Sequence, residues 1–113
     1  MTEYYTTGTW RSKPGSEQDF IDAWTAFAGW AAGMPGAGTL RLTRDAGDPA
    51  RFVSMGRWAN QESVLAWKRS PEFRERIGSV LQHIDGFEPT ELAVVATVAP
   101  RAGATLSQAG GAR

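Results

Sequence analysis

Thr39-Leu40-Arg41-Leu42-Thr43-Arg44 and, shortly after it, Arg51-Phe52-Val53-Ser54-Met55-Gly56-Arg57-Trp58 decide the fold. In the first segment Leu40 and Leu42 alternate with Thr39, Arg41 and Thr43, the period of a strand with one apolar face. In the second, Phe52, Ser54, Gly56 and Trp58 alternate with Val53, Met55 and Arg57. Asp45-Ala46-Gly47-Asp48-Pro49 between them carries the residues of a hairpin loop. A one-residue slip would turn the apolar face outward, so the register of this pair is well fixed.

A helix is expected on each side of the hairpin. Upstream, Phe20, Trp24, Phe27 and Ala31 form a stripe at helical spacing, widened by Ala23 and Trp30, and place a helix over 17–32. Ser16 stands as its N-cap, with Asp19 as the capping-box acid, and Gly33, Pro35, Gly36 and Gly38 end it. Downstream the helical region comes in two pieces. Asn60 caps the first, which holds Val64, Leu65 and Trp67. Ser70-Pro71 restarts the second, whose stripe is Phe73, Ile77, Val80, Leu81 and Ile84. Asp85-Gly86 is read as its stop. The outermost elements are strands: Tyr4–Trp10, where Gly8 marks a bulge or a close approach, and Thr90–Val98, with Leu92, Val94, Ala96 and Val98 on one face.

The order is therefore β-α-β-β-α-β. It predicts an α+β, ferredoxin-like domain over 1–98: an antiparallel four-stranded sheet with its helices on one face. Residues 99–113 read as a flexible tail, with Leu106 their one large apolar side chain. The uncovered sheet face would carry Tyr5, Thr7, Thr9, Val53, Met55, Val95 and Thr97. A half-apolar face of this kind calls for a partner, so a homodimer packed sheet to sheet is expected.

Composition narrows the chemistry. The 113 residues carry 12 Lys and Arg against 12 Asp and Glu, and the expected tail holds Arg101 and Arg113. A mildly acidic folded part argues against nucleic-acid or anionic-membrane binding. There is no cysteine and one histidine, His83. These counts argue against a disulfide scaffold, a thiol nucleophile and a zinc finger, and no metal or other cofactor is expected. No G-x-S-x-G or P-loop segment occurs. The first residues lack a basic region before an apolar stretch, and no 18-residue apolar run exists, so a cytoplasmic protein is expected. Five Trp and five Phe are the distinctive entries.

Four segments carry a family resemblance: Lys13-Pro14-Gly15-Ser16-Glu17, Pro35-Gly36-Ala37-Gly38, Gly56-Arg57-Trp58-Ala59-Asn60-Gln61-Glu62, and Ala66-Trp67-Lys68-Arg69-Ser70-Pro71-Glu72-Phe73. Through them the chain resembles the antibiotic biosynthesis monooxygenase family over residues 4–98. That resemblance implies a dimeric α/β barrel made from two ferredoxin-like subunits. It also implies membership among cofactor-independent oxygenases of polycyclic phenols, quinol oxygenases or haem-degrading enzymes. The haem-degrading branch carries an Asn, a Trp and a His that fall here on Gly8, Trp67 and Ile77. Axial ligation of haem needs a donor that Ile77 lacks, which disfavours that branch, with Met55 and His83 standing as substitutes.

An oxygenase working without a cofactor must bind a flat ring, stabilise a phenolate and exclude water. Trp67 is the first candidate for catalysis, since its indole N–H can donate to a substrate oxygen. The plainer alternative is a core Trp bonded to backbone. Trp24, Phe27, Trp30 and Phe73 are candidate walls, although aromatic stripes at this spacing commonly build cores. Arg57, Asn60 or His83 is expected to supply a polar donor for the anion, His83 also being a catalytic candidate. Arg41 shares with Arg57 the need for a carboxylate or a substrate anion, and Asn60 doubles as a helix cap. The expected function is a cofactor-independent monooxygenase acting, with O2, on a small aromatic or polyketide-like phenol or quinol. The alternative is a barrel that binds a flat ligand, or serves as an interaction module, without turnover.

Overall fold

The computed structural model describes residues 3–102. Its elements run β1 (Tyr4–Ser12), α1 (Glu17–Ala31), β2 (Ala37–Asp45), β3 (Asp48–Trp58), α2 (Gln61–Arg69), α3 (Phe73–Leu81) and β4 (Ile84–Ala93). The strands form one antiparallel sheet in the order β2-β3-β1-β4. This is the expected ferredoxin-like arrangement, with the second helical region split at Ser70–Glu72.

Period-2 alternation sorts the sheet into two faces. Trp10 pairs with Phe52 and Phe87, Gly8 with Ser54 and Pro89, Thr6 with Gly56, and Tyr4 with Trp58. These residues face the helices. Phe20, Trp24, Phe27, Ala28 and Ala31 of α1 are buried against them, joined by Val64 and Trp67 of α2 and Val80 of α3. Ring contacts tie the layers, with centroids 5.3 Å apart for Trp10–Phe20, 4.9 Å for Phe20–Phe52 and 4.7 Å for Trp58–Trp67. Tyr5, Thr7, Thr9, Val53 and Met55 lie on the other face, as the alternation predicts.

Four expectations need correction. The last strand spans Ile84–Ala93, not Thr90–Val98; Ile84 opens it instead of closing α3, and Asp85-Gly86 lies within it. Val95 and Val98 lie beyond the sheet and are almost fully exposed, so Val95 and Thr97 are not part of its open face. The cause is tertiary pairing: β4 is an edge strand, where Gly86 and Pro89 are tolerated opposite Arg11 and Gly8. Ser16 makes no side-chain cap; its carbonyl accepts from Phe20 N–H at 2.9 Å. Ser70 is not the N-cap of α3; its hydroxyl accepts from Glu72 N–H at 3.3 Å, one residue before the helix starts. Asn60 does cap α2, its Oδ1 accepting from the Ser63 N–H and hydroxyl at 2.9 Å each. Of the expected tail, residues 103–113 lie outside the described residues.

Candidate active site

A hollow exists because the middle of the sheet is flat on its helix-facing side. Thr6 and Gly8 of β1 lie beside Gly56 and Ser54 of β3, and none of the four projects much bulk. Larger side chains rise on both sides of them: Trp10, Phe52 and Phe87 at one end, Tyr4 and Trp58 at the other. The helices bridge the gap, leaving a cavity of about 180 Å³ lined by Trp24, Phe27, Trp67, Phe73 and Ile77 above the small residues. Gly8 is required here. A Cβ on it would lie 2.8 Å from Trp10 Nε1, 2.9 Å from Phe87 and 3.0 Å from the Ser54 hydroxyl.

The two sheet tryptophans that border the hollow have satisfied donors. Trp10 Nε1 donates to Ser54 Oγ at 2.9 Å, and Trp58 Nε1 to Thr6 Oγ at 3.1 Å. Trp67 differs. It is 6% exposed, stacks on Trp58 and meets Phe73 edge-on with centroids 5.0 Å apart, yet its Nε1 is buried with no partner. An unpaired buried donor costs about 1–3 kcal/mol and in native proteins calls for an explanation. The alternative of a core indole bonded to backbone does not hold for Trp67.

Polar groups are few among the lining residues: Thr6, Thr7, Ser54 and Lys68. Lys68 Nζ pairs with Glu91 Oε2 at 2.8 Å, joining α2 to β4. Neither a carboxylate nor an imidazole lines the cavity, and Lys68, the one ionisable residue of its described lining, is engaged by Glu91.

The structure gathers Trp67, Trp24, Phe27 and Phe73 around the cavity and leaves five other candidates out of its lining. Trp30 is half-buried on α1 beside Phe27, with the Arg76 guanidinium 5.3 Å from its ring centre. Arg57 lies on the open sheet face, 3.0 Å from Glu3, whose carboxyl it holds below the ordinary range by hydrogen bonding. Arg41 is exposed on that face too, cross-strand from Met55. Asn60 has its oxygen engaged in the α2 cap. His83 is in the turn before β4, where its carbonyl accepts from Lys13 N–H at 3.0 Å. Alternation and a cap, both local, account for where Arg57 and Asn60 sit. Gly8, Trp67 and Ile77, the three positions matched to the haem-degrading branch, do converge on the cavity. Met55 borders it from a position that alternates to the far face.

The sequence reading missed Trp10, Ser54, Thr6, Lys68 and Phe87 as cavity residues. The available signal was the cluster of small residues at inward positions, Gly8, Ser54 and Gly56, opposite an aromatic stripe. Among the described residues no group of three His, Asp or Glu side chains could hold a metal, and no helix is long and apolar enough to cross a membrane.

Fold and site together define a ferredoxin-like α+β domain with an apolar cavity between its sheet and helices. The family model described as antibiotic biosynthesis monooxygenase matches residues 4–78, and the chain belongs to that family. Among solved structures it is similar to SnoaB, a cofactor-independent oxygenase from Streptomyces nogalater, at 15% identity and a TM-score of 0.79, covering 87% of this chain and 98% of that one. A conserved protein from Methanosarcina mazei is similar at 16% identity and a TM-score of 0.73, covering 81% and 92%. PA3566 from Pseudomonas aeruginosa follows at 14% identity and a TM-score of 0.71, covering 85% and 97%. No curated protein matches the chain in sequence.

Proposed function

We propose that the protein is a cofactor-independent monooxygenase that takes one ring of a small phenol or quinol into the cavity beside Trp67. The unpaired Trp67 Nε1 carries this reading. Trp67 lines the cavity but its Nε1 has almost no accessible surface, so a phenolate oxygen reaches it once the indole shifts; that bond would complete the donor and strengthen as negative charge concentrates on the oxygen. Size sets the substrate: about 180 Å³ slightly exceeds the roughly 150 Å³ apolar cavity that accepts benzene. One ring is enclosed, and any further ring of a polyketide-like substrate extends to the opening. In the net reaction a phenol and O2 give a quinone and water. One oxygen atom enters the ring carbon, and the C–H and O–H hydrogens leave with the other. The reducing electrons come from the ionised substrate. The protein holds the ring between Phe27, Phe73 and Trp24, orients the phenolate on Trp67 and limits water.

The lack of a carboxylate or imidazole in the cavity lining favours a second reading, a barrel that binds a flat ligand without turnover. Oxygen uptake with naphthalene quinols, measured aerobically and against an anaerobic control, separates the two. Uptake by the wild type that falls at least about tenfold in Trp67→Phe, the loss expected for one oxyanion donor or less, supports the oxygenase. Uptake equal in both proteins sinks the Trp67 assignment, and fluorescence quenching without product favours the binding role.

The working form in this reading is a homodimer, with the open face of β1 and β3 packed on its copy to form the barrel, in the cytoplasm. Met55, 36% exposed near the centre of that face, is the probe. Met55→Glu should halve the sedimentation mass, and a wild-type mass near 12.2 kDa would refute the dimer.

A further inference from the structure

Three residues of the cavity, Lys68, Phe73 and Ile77, also line an adjoining open depression at the α2–α3 junction, completed by Arg69, Ser70, Pro71 and Arg74. Its charge is one-sided. Three cations border it and no carboxylate does. Lys68 already has Glu91, and Arg76 lies 3.6 Å from Glu72; Glu75, next to Arg74 in sequence, pairs with neither Arg74 nor Arg76 among the described residues and does not line the depression. Arg69 and Arg74, by contrast, make no ion pair among the described residues. The arginines of β1 and β3 do pair, Arg11 with Asp48, Arg51 with Asp45 and Arg57 with Glu3, whereas Arg41 and Arg44 on β2 share the unpaired state but lie away from the cavity lining. Cations left unpaired beside an apolar cavity suit a ligand whose ring is apolar and whose substituent is anionic.

We infer that the substrate is a phenol or quinol bearing a carboxylate, with its ring in the cavity and its carboxylate on Arg69 and Arg74, assisted by Lys68. The inference rests on the reading of the cavity as a site for a flat aromatic and adds the charge of what it takes. Chemistry supports the division of labour. A guanidinium donates two parallel hydrogen bonds to a carboxylate, and the Lys68 ammonium has donors to spare beyond its bond to Glu91. Anchoring the acid outside would leave the phenol to Trp67 inside.

The test is isothermal titration calorimetry at neutral pH with two probes, naphthol and a hydroxynaphthoate, on the wild type and on Arg69→Gln/Arg74→Gln. The wild type should bind hydroxynaphthoate at least about fivefold tighter, the size of one exposed charge-assisted contact, and high salt should erase most of that preference. The double variant should bind both probes alike, with naphthol affinity unchanged. Equal affinities in the wild type, or a preference surviving in the double variant, overturn the inference and leave the cavity reading intact. Loss of naphthol binding in the double variant assigns the arginines to the fold and overturns it too. Failure of both probes to bind the wild type overturns the cavity reading and the inference together.

Discussion

Replacing Trp67 and Trp58 in turn by Phe should give opposite balances of stability. The substitution deletes the same atoms at both sites, and both rings are buried, at 6% and 0% exposure. The apolar loss is therefore nearly common and drops out of the difference. At Trp58 the change also removes the 3.1 Å bond to Thr6 Oγ, worth about 1 kcal/mol net. At Trp67 it removes a donor that has no partner, returning about 1–3 kcal/mol. Trp67→Phe should thus be roughly 2–4 kcal/mol more stable than Trp58→Phe, a gap of about 8 °C or more in Tm for a domain of this size. Thermal and urea unfolding followed by circular dichroism, at matched protein concentration, measures it. Trp67→Phe should at the same time lose phenol binding, since a group kept at a cost to stability is kept for another use. A gap below about 1 kcal/mol, or a costlier Trp67→Phe, would mean that the indole N–H is satisfied in the folded protein and would remove the basis for its role.

Gly8→Ala should destabilise by about 1–3 kcal/mol and weaken phenol binding, because the new methyl falls within 3.0 Å of Trp10, Phe87 and Ser54; unchanged stability and binding would contradict the tight packing. Asn60→Ala should cost about 1 kcal/mol through the lost cap, with ligand affinity untouched in a titration. A large loss of affinity would return Asn60 to the site. Asp48 is held below the ordinary aspartate range first by Arg11 at 2.6 Å, then by the Ala50 N–H. A folded pKa below the unfolded one gives stability that is complete above the unfolded value and lost as pH falls through the folded one. The acid limb of Tm against pH should therefore be shallower in Asp48→Asn; identical limbs would refute the contribution.

Fold was legible wherever one face was buried and one was not. Phe20, Trp24 and Phe27 announced α1, and Leu40, Leu42, Phe52 and Trp58 announced the hairpin, since burial imposes the period that is read back. The final strand was misread because Val94–Val98 has the higher β-propensity, whereas Ile84–Ala93 contains Gly86 and Pro89. Pairing to β1 outweighed propensity there. In the site, the aromatic walls could be read from the sequence and the polar groups could not. A wall follows from helical phase alone. Whether Arg57 or Lys68 reaches a cavity depends on which face its strand or helix presents, and on carboxylates such as Glu3 and Glu91 that are distant in sequence.

The four small residues at the sheet centre have a consequence for how this chain could diversify. The floor of the cavity is set by atoms missing from β1 and β3, and its walls by the helices above. A methyl added or removed at Thr6 or Ser54 would resize the chamber while leaving helix packing, caps and the open face as they are. Substrate range and folding are thereby encoded at largely separate positions. A lineage could drift from one ring size to another through single methyl steps at Thr6 or Ser54, whereas Gly8 and Gly56 are held fixed by the close packing around them.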